Sequence, residues 1–233
     1  MKKVIVTLSL GVLIPLMGVS QTTLGPGTTG TSLSVAGLPH NFSSQTWNPY
    51  QNVGLGGQIC QPCHTPHNSN FAQVTEAPLW NHTLTTASFQ MYVGTGSFGL
   101  NGGGYGLTAP DGTSKLCLSC HDGSVALGAF GGQTGSTTMT GYDNGNADLG
   151  TDLRNDHPVS FVYDSVIAGG VHTPTYIYKL FDGTSSGKAV SKLLDINGKV
   201  QCTSCHGPHS NSKGYQLSMS NQNSALCLAC HKK

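Results

Sequence analysis

The pattern that most constrains this chain is a pair of cysteines, two residues apart, with a histidine directly after the second. It occurs four times, as Cys60-Gln61-Pro62-Cys63-His64, Cys117-Leu118-Ser119-Cys120-His121, Cys202-Thr203-Ser204-Cys205-His206 and Cys227-Leu228-Ala229-Cys230-His231. All eight cysteines fall in these copies, with none left over. Two thiols at this spacing add across the two vinyl groups of one porphyrin. The adjoining histidine is then held over the ring face, where its imidazole binds the iron. A zinc site would pair C-x-x-C with a second such pair or with two spaced histidines, and has no reason to demand a histidine at this place in every copy. A disulfide framework has no use for the histidines. The pattern therefore predicts four covalent haem c groups, with His64, His121, His206 and His231 as the proximal iron ligands.

Composition explains why such groups are needed. Charged residues are 9% of the chain, Gly accounts for 32 of 233 positions, and the formal net charge is +1. Such a chain buries too little apolar surface to offset its ordering entropy unaided. Four large apolar discs would supply the core. The fold expected is a loop-rich multihaem cytochrome c, with a few short helices at the C-x-x-C-H motifs, short strands, and four stacked haems at its centre. The small net charge gives no basic surface for nucleic acid.

Residues 1–20 have the form of an export signal. Lys2 and Lys3 are followed by an apolar stretch from Val4 to Met17, then by the small residues Gly18 and Ser20. The stretch is short for a membrane span, no cysteine precedes Cys60 for a lipid anchor, and no other segment has the makings of a span. Residues 21–45 form an expected extended N-terminal arm of Gly, Thr, Ser and Leu that carries His40. Residues 46–233 form the expected tetrahaem domain. Strands are predicted over 155–164 and 175–181, a hairpin around Asn197-Gly198 within 188–200, and a helix over Ser224 to His231. A loose internal duplication joins 60–67 and 116–121 to 202–209 and 226–231.

Four irons have eight axial positions, and the motif histidines fill four of them. His40, His67, His82, His157, His172 and His209 remain for the other four. His67 and His209 each lie three residues after a motif histidine, on the same face of a helical turn. Neither can reach the far side of the haem on its own motif, but each can ligate a neighbouring haem. His82 follows Leu79-Trp80-Asn81, and His157 opens the Pro158 strand; both favour ligation. His40 serves its own chain or a second copy. His172, between Gly170 and Pro174, ranks last. Met91, Met139 and Met219 are available but are not needed.

The segments Cys60–His67, Leu79–His82, Leu116–Gly123, Asn155–Phe161, Cys202–His209 and Leu226–His231 resemble the multihaem c-type cytochromes with paired C-x-x-C-H motifs. The match spans about His40 to His231. With the export signal and the arm, the chain is most similar to the tetrahaem nanowire cytochromes of metal-respiring bacteria. That resemblance implies bis-histidine haems in a continuous chain, subunits assembled into extracellular filaments, and an inter-subunit histidine completing one haem.

Electron transfer without a substrate site is therefore the expected function, from redox partner proteins to extracellular acceptors such as metal oxides. A soluble periplasmic tetrahaem carrier is the alternative within this class. A multihaem reductase with one open iron is the rival from another. No C-x-x-C-K variant and no histidine shortage point to it.

Overall fold

The computed structural model of the chain describes residues 38–51, 58–67, 69, 77, 79–92, 108–142, 147–163, 171–179 and 187–232. The proposed export signal, most of the arm and the glycine-rich stretch over 94–106 lie wholly or largely outside them. Regular structure is sparse. Helices α1 (Gly112–His121), α2 (Cys202–Cys205) and α3 (Ala225–Cys230) each carry one C-x-x-C-H motif. The first motif makes a single helical turn, in which Cys63 N–H and His64 N–H donate to Cys60 O at 3.1 and 2.8 Å.

Helix at these places follows from the motif. Residues i, i+3 and i+4 share one helical face, so a single turn presents both thiols and the imidazole together. The helix is needed only that far. The chain turns extended at His206 (φ −114°, ψ 133°) and at His231 (φ −91°, ψ 133°). The expected helix over Ser224 to His231 is α3, one residue shorter at each end.

Strands β1 (Phe161–Val162), β2 (Ile177–Lys179), β3 (Gly187–Ala189) and β4 (Lys199–Val200) form two antiparallel pairs. β1 pairs with β4, Phe161 opposite Val200, and β2 pairs with β3, Ile177 opposite Ala189. The predicted strands over 155–164 and 175–181 are thus present, but reduced to short cores. The predicted hairpin within 188–200 is not formed. Asp195 explains this: its Oδ1 accepts from Asn197 N–H and Lys199 N–H, both at 2.8 Å, and its carbonyl accepts from Gly198 N–H at 3.0 Å. Gly198, at φ +70°, closes this tight turn. The turn leads from a 3₁₀ turn at Val190–Lys192 into β4, so β3 and β4 find partners elsewhere in the chain instead of each other.

Buried apolar residues gather in small separate clusters. The largest holds Phe161, Tyr163, Val171, Val190 and Val200 beside the β1–β4 pair. Met219, Ala225 and Ala229 pack under α3, and Trp80 packs on Leu116 of α1 with Cys63 against them. The end of the expected arm is packed: Leu38 and Asn41 are buried, and a turn closes on Asn41 N–H to Leu38 O at 2.9 Å. No helix among the described residues is long and apolar enough to cross a membrane.

Clusters this small leave the chain dependent on its covalent groups. A chain with all eight cysteines changed to serine is expected to show no cooperative thermal transition by circular dichroism, whereas the haem-loaded chain melts cooperatively. A matching melt in both would show that the polypeptide supplies its own core.

Candidate haem sites

The motif histidines have partners from distant parts of the chain. The rings of His64 and His209 lie with centres 5.9 Å apart and planes at 26°. Those of His40 and His121 are 6.2 Å apart at 49°, and those of His157 and His231 are 6.3 Å apart at 74°. Two imidazoles bound on opposite sides of one metal ion, through metal–nitrogen bonds of about 2 Å, have ring centres about 6 Å apart. The separations are the right size for an axial pair. His209 stands against His64 of the first motif, not its own His206, as its position three residues after His206 requires.

Which nitrogen faces the site is set by backbone carbonyls. Nδ1–H of His40 donates to Pro208 O at 3.3 Å, and Nδ1–H of His121 to Ala147 O at 2.8 Å. Nδ1–H of His157 donates to Pro158 O at 3.0 Å, and Nδ1–H of His206 to Tyr215 O at 3.2 Å. A carbonyl only accepts, so the proton sits on Nδ1 and the neutral ring keeps its lone pair on Nε2. This is the outer-shell bond that orients a metal-binding imidazole. Burial, then His121, lowers the pKa of His40 to about 4. Burial likewise lowers His64, with His209 adding to it, and His231, with His157 and His172 adding. In all three the shift favours the neutral form that metal binding needs.

The other candidates are placed differently. His82 is fully buried, with Nδ1 2.8 Å from Thr83 O, Nε2 3.1 Å from Ala126 O, and Cys120 Sγ at 3.5 Å from the same Nε2. It stands beside the second motif's thiol instead of opposite a motif imidazole. His67 is exposed, its backbone tied to Thr65 Oγ1. His172 stacks on Tyr176 at 3.5 Å and 9°, with its N–H on Cys230 O at 2.7 Å. Among the described residues no ring contact joins His206 to a second histidine.

The thiols link the motifs in chain order. The neighbouring Cys202 thiol, then burial, holds the Cys117 thiol well above its ordinary range; Cys63 and Cys120 add to it. Burial pushes Cys63 up to about 12 and raises Cys120, which also feels Cys63. Burial raises Cys205 beside Cys202 and Cys227, and lifts Cys230 to about 11 beside Cys205. Geometry ties the first three: Cys63 packs against Leu116 of α1, and Ser114 of α1 accepts from Cys202 N–H of the third motif, while the third and fourth are near enough for Cys227 to raise the Cys205 thiol. The His64–His209 pair also brings the third motif to the first.

Two further features suit a large group with an apolar body. An open slot of about 480 Å³ beside the first motif is lined by Gln58, Cys60, Gln61, His64, Thr65, Pro66 and Leu79. The indole N–H groups of Trp47 and Trp80 are buried without a hydrogen-bond partner, Trp80 packed beside Cys63. Among the described residues no three His, Cys, Asp or Glu side chains converge as they would around a bare metal ion. Thiol pairs, imidazole pairs and this slot together fit haem c.

The sequence pattern missed two polar groups at these sites. Asp122, buried directly after His121, accepts from Thr85 Oγ1 at 2.5 Å and from Ser124 N–H and Oγ at 2.8 Å each. Gln201, buried directly before Cys202, is the other. Adjacency to a motif was the one available signal for both.

Residues 196–233, with the third and fourth motifs, match a family model described as the doubled CXXCH motif. No curated protein matches the chain. The doubled motif supports a multihaem c-type cytochrome of electron transfer, with haem c covalently attached through the C-x-x-C-H motifs.

Proposed function

We propose that this chain carries electrons along four covalent bis-histidine haems and has no substrate site. The observation that carries this reading is the set of imidazole pairs at 5.9, 6.2 and 6.3 Å, each joining a motif histidine to a histidine far away in the chain. Haem c supplies a reversible one-electron iron couple. The chain's own residues would hold the thioethers, close both faces of three of the irons, and keep the groups in contact. His209 would close the iron of His64, His40 that of His121, and His157 that of His231. This makes His40 a ligand within its own chain. The partner of His206 comes from His67, His82 or His172, or from a second copy. Histidine on both faces holds potentials low, since methionine ligation is the usual device for raising them.

The finer resemblance is to the filament cytochromes typified by outer-surface c-type cytochrome E. In that reading the chain is exported by residues 1–20 and works at or beyond the cell surface, with metal oxides or partner proteins as acceptors. Low charge supports self-association, because little repulsion opposes assembly. Monomers alone in electron micrographs of the secreted fraction would favour the soluble periplasmic carrier instead.

One observation favours the reductase rival: the absence, among the described residues, of a ring partner for His206. Carbon monoxide separates the two. The reduced, assembled protein is expected to keep its haem absorption bands unchanged under carbon monoxide, and His209→Gly to bind it at one haem. Binding by the unaltered protein at one iron would point to an open, reactive haem. In a second test, Cys117→Ser with Cys120→Ser is expected to lower the intact mass by one haem. An unchanged mass would remove the second motif from the set.

A further inference from the structure

The amide of Gln201 is buried to 1% exposure at the junction of α1 and α2, and every hydrogen-bonding atom it has is engaged. Its Oε1 accepts from Ser114 Oγ at 2.5 Å, Ser114 N–H at 3.3 Å and Ser160 Oγ at 3.2 Å. Its Nε2 donates to Asp111 Oδ1 at 3.1 Å and Asp195 Oδ2 at 3.0 Å. The partners fix which end is oxygen, since Ser114 N–H needs an acceptor and the two carboxylates need a donor. Ser114 Oγ in turn accepts from Cys202 N–H at 3.0 Å, and Thr113 Oγ1 meets Thr203 Oγ1 at 2.7 Å. Lys199 is paired with the second oxygen of Asp111.

The backbone is shaped around this amide. Gly112, at φ +49°, has its open side against Gln201, and a Cβ there would stand 2.7 Å from Nε2. Asp111 precedes α1, yet its carboxylate does not cap that helix; it binds Gln201 and Lys199 instead. At the same junction the Cys202 N–H bond to Ser114 ties the first cysteine of the third motif to α1, and the neighbouring Cys202 thiol, then burial, holds the Cys117 thiol well above its ordinary range.

We infer that Gln201 is a positioning residue: it locks the helix of the second motif to that of the third and so sets the contact between the groups held on Cys117 and Cys202. This rests on the haem reading given above. A buried amide costs stability unless all its bonds are made, and a network in which they are made admits one arrangement of its parts. An apolar side chain of equal length fills the same space but leaves α1 free to turn against α2.

The test uses the full haem-loaded chain carrying Gln201→Met. Neighbouring haems give a coupled band pair in Soret-region circular dichroism, which reports their mutual orientation and not the stability of the fold. The variant is expected to keep its haem count by mass and its closed irons towards carbon monoxide, and to lose amplitude in that band pair. Ser114→Ala, which removes the hydroxyl's bonds to Gln201 and Cys202, should do the same if the first variant fails to mature. Ser160→Ala should give a smaller loss. A band pair unchanged in a variant of lowered melting temperature would reduce Gln201 to an ordinary stabilising residue and overturn the inference. A band pair missing from the unaltered protein would instead overturn the haem reading.

Discussion

One helical turn is the constraint on which the rest of this molecule depends. Two thiols and an imidazole must meet one porphyrin from one side, and spacing of three and four residues on a turn does this with the least possible structure. The chain supplies that turn four times and, among the described residues, little regular structure besides. Helices end at the histidine or one residue before it, and strands run to two or three residues. Residues that elsewhere would extend a core are glycine, serine and threonine, which suits a chain whose bulk comes from attached groups.

Long-range order then falls to side-chain pairs. His64 with His209, and His40 with His121, bring together parts of the chain that lie far apart in sequence. The amide of Gln201 does the same for α1 and α2. The third motif stands near each of the others: His209, three residues beyond it, faces His64, Cys202 N–H bonds Ser114 of α1, and the Cys205 thiol is raised by Cys227. It is the natural junction of the set.

How much of this was legible in the sequence differs by residue. The motifs, the helix over Ser224 to His231 and the candidacy of His40, His157 and His209 follow from spacing and ligand demand. Which histidine faces which motif does not, because His64 and His209 are brought together by tertiary folding that no local pattern encodes. His82 was favoured for its apolar setting, yet both its nitrogens lie near peptide carbonyls. Apolar flanks mark burial, and burial suits a core histidine as well as a ligand. The hairpin at Asn197-Gly198 was expected from its turn residues; the turn is there, but turn chemistry says nothing about which strands will pair. Gln201 carries no signal beyond its place before Cys202.

The Nδ1 bonds of His40, His121, His157 and His206 all end on peptide carbonyls. A carboxylate in that place would strengthen the ligand and take up a proton in acid, so the pull on the metal would vary with the surroundings. A peptide carbonyl has no proton to gain or lose in that range. In the reading proposed above, the electronic character of these four imidazoles is thereby written into the main chain, where neither the acidity of the medium nor the replacement of a single side chain readily reaches it.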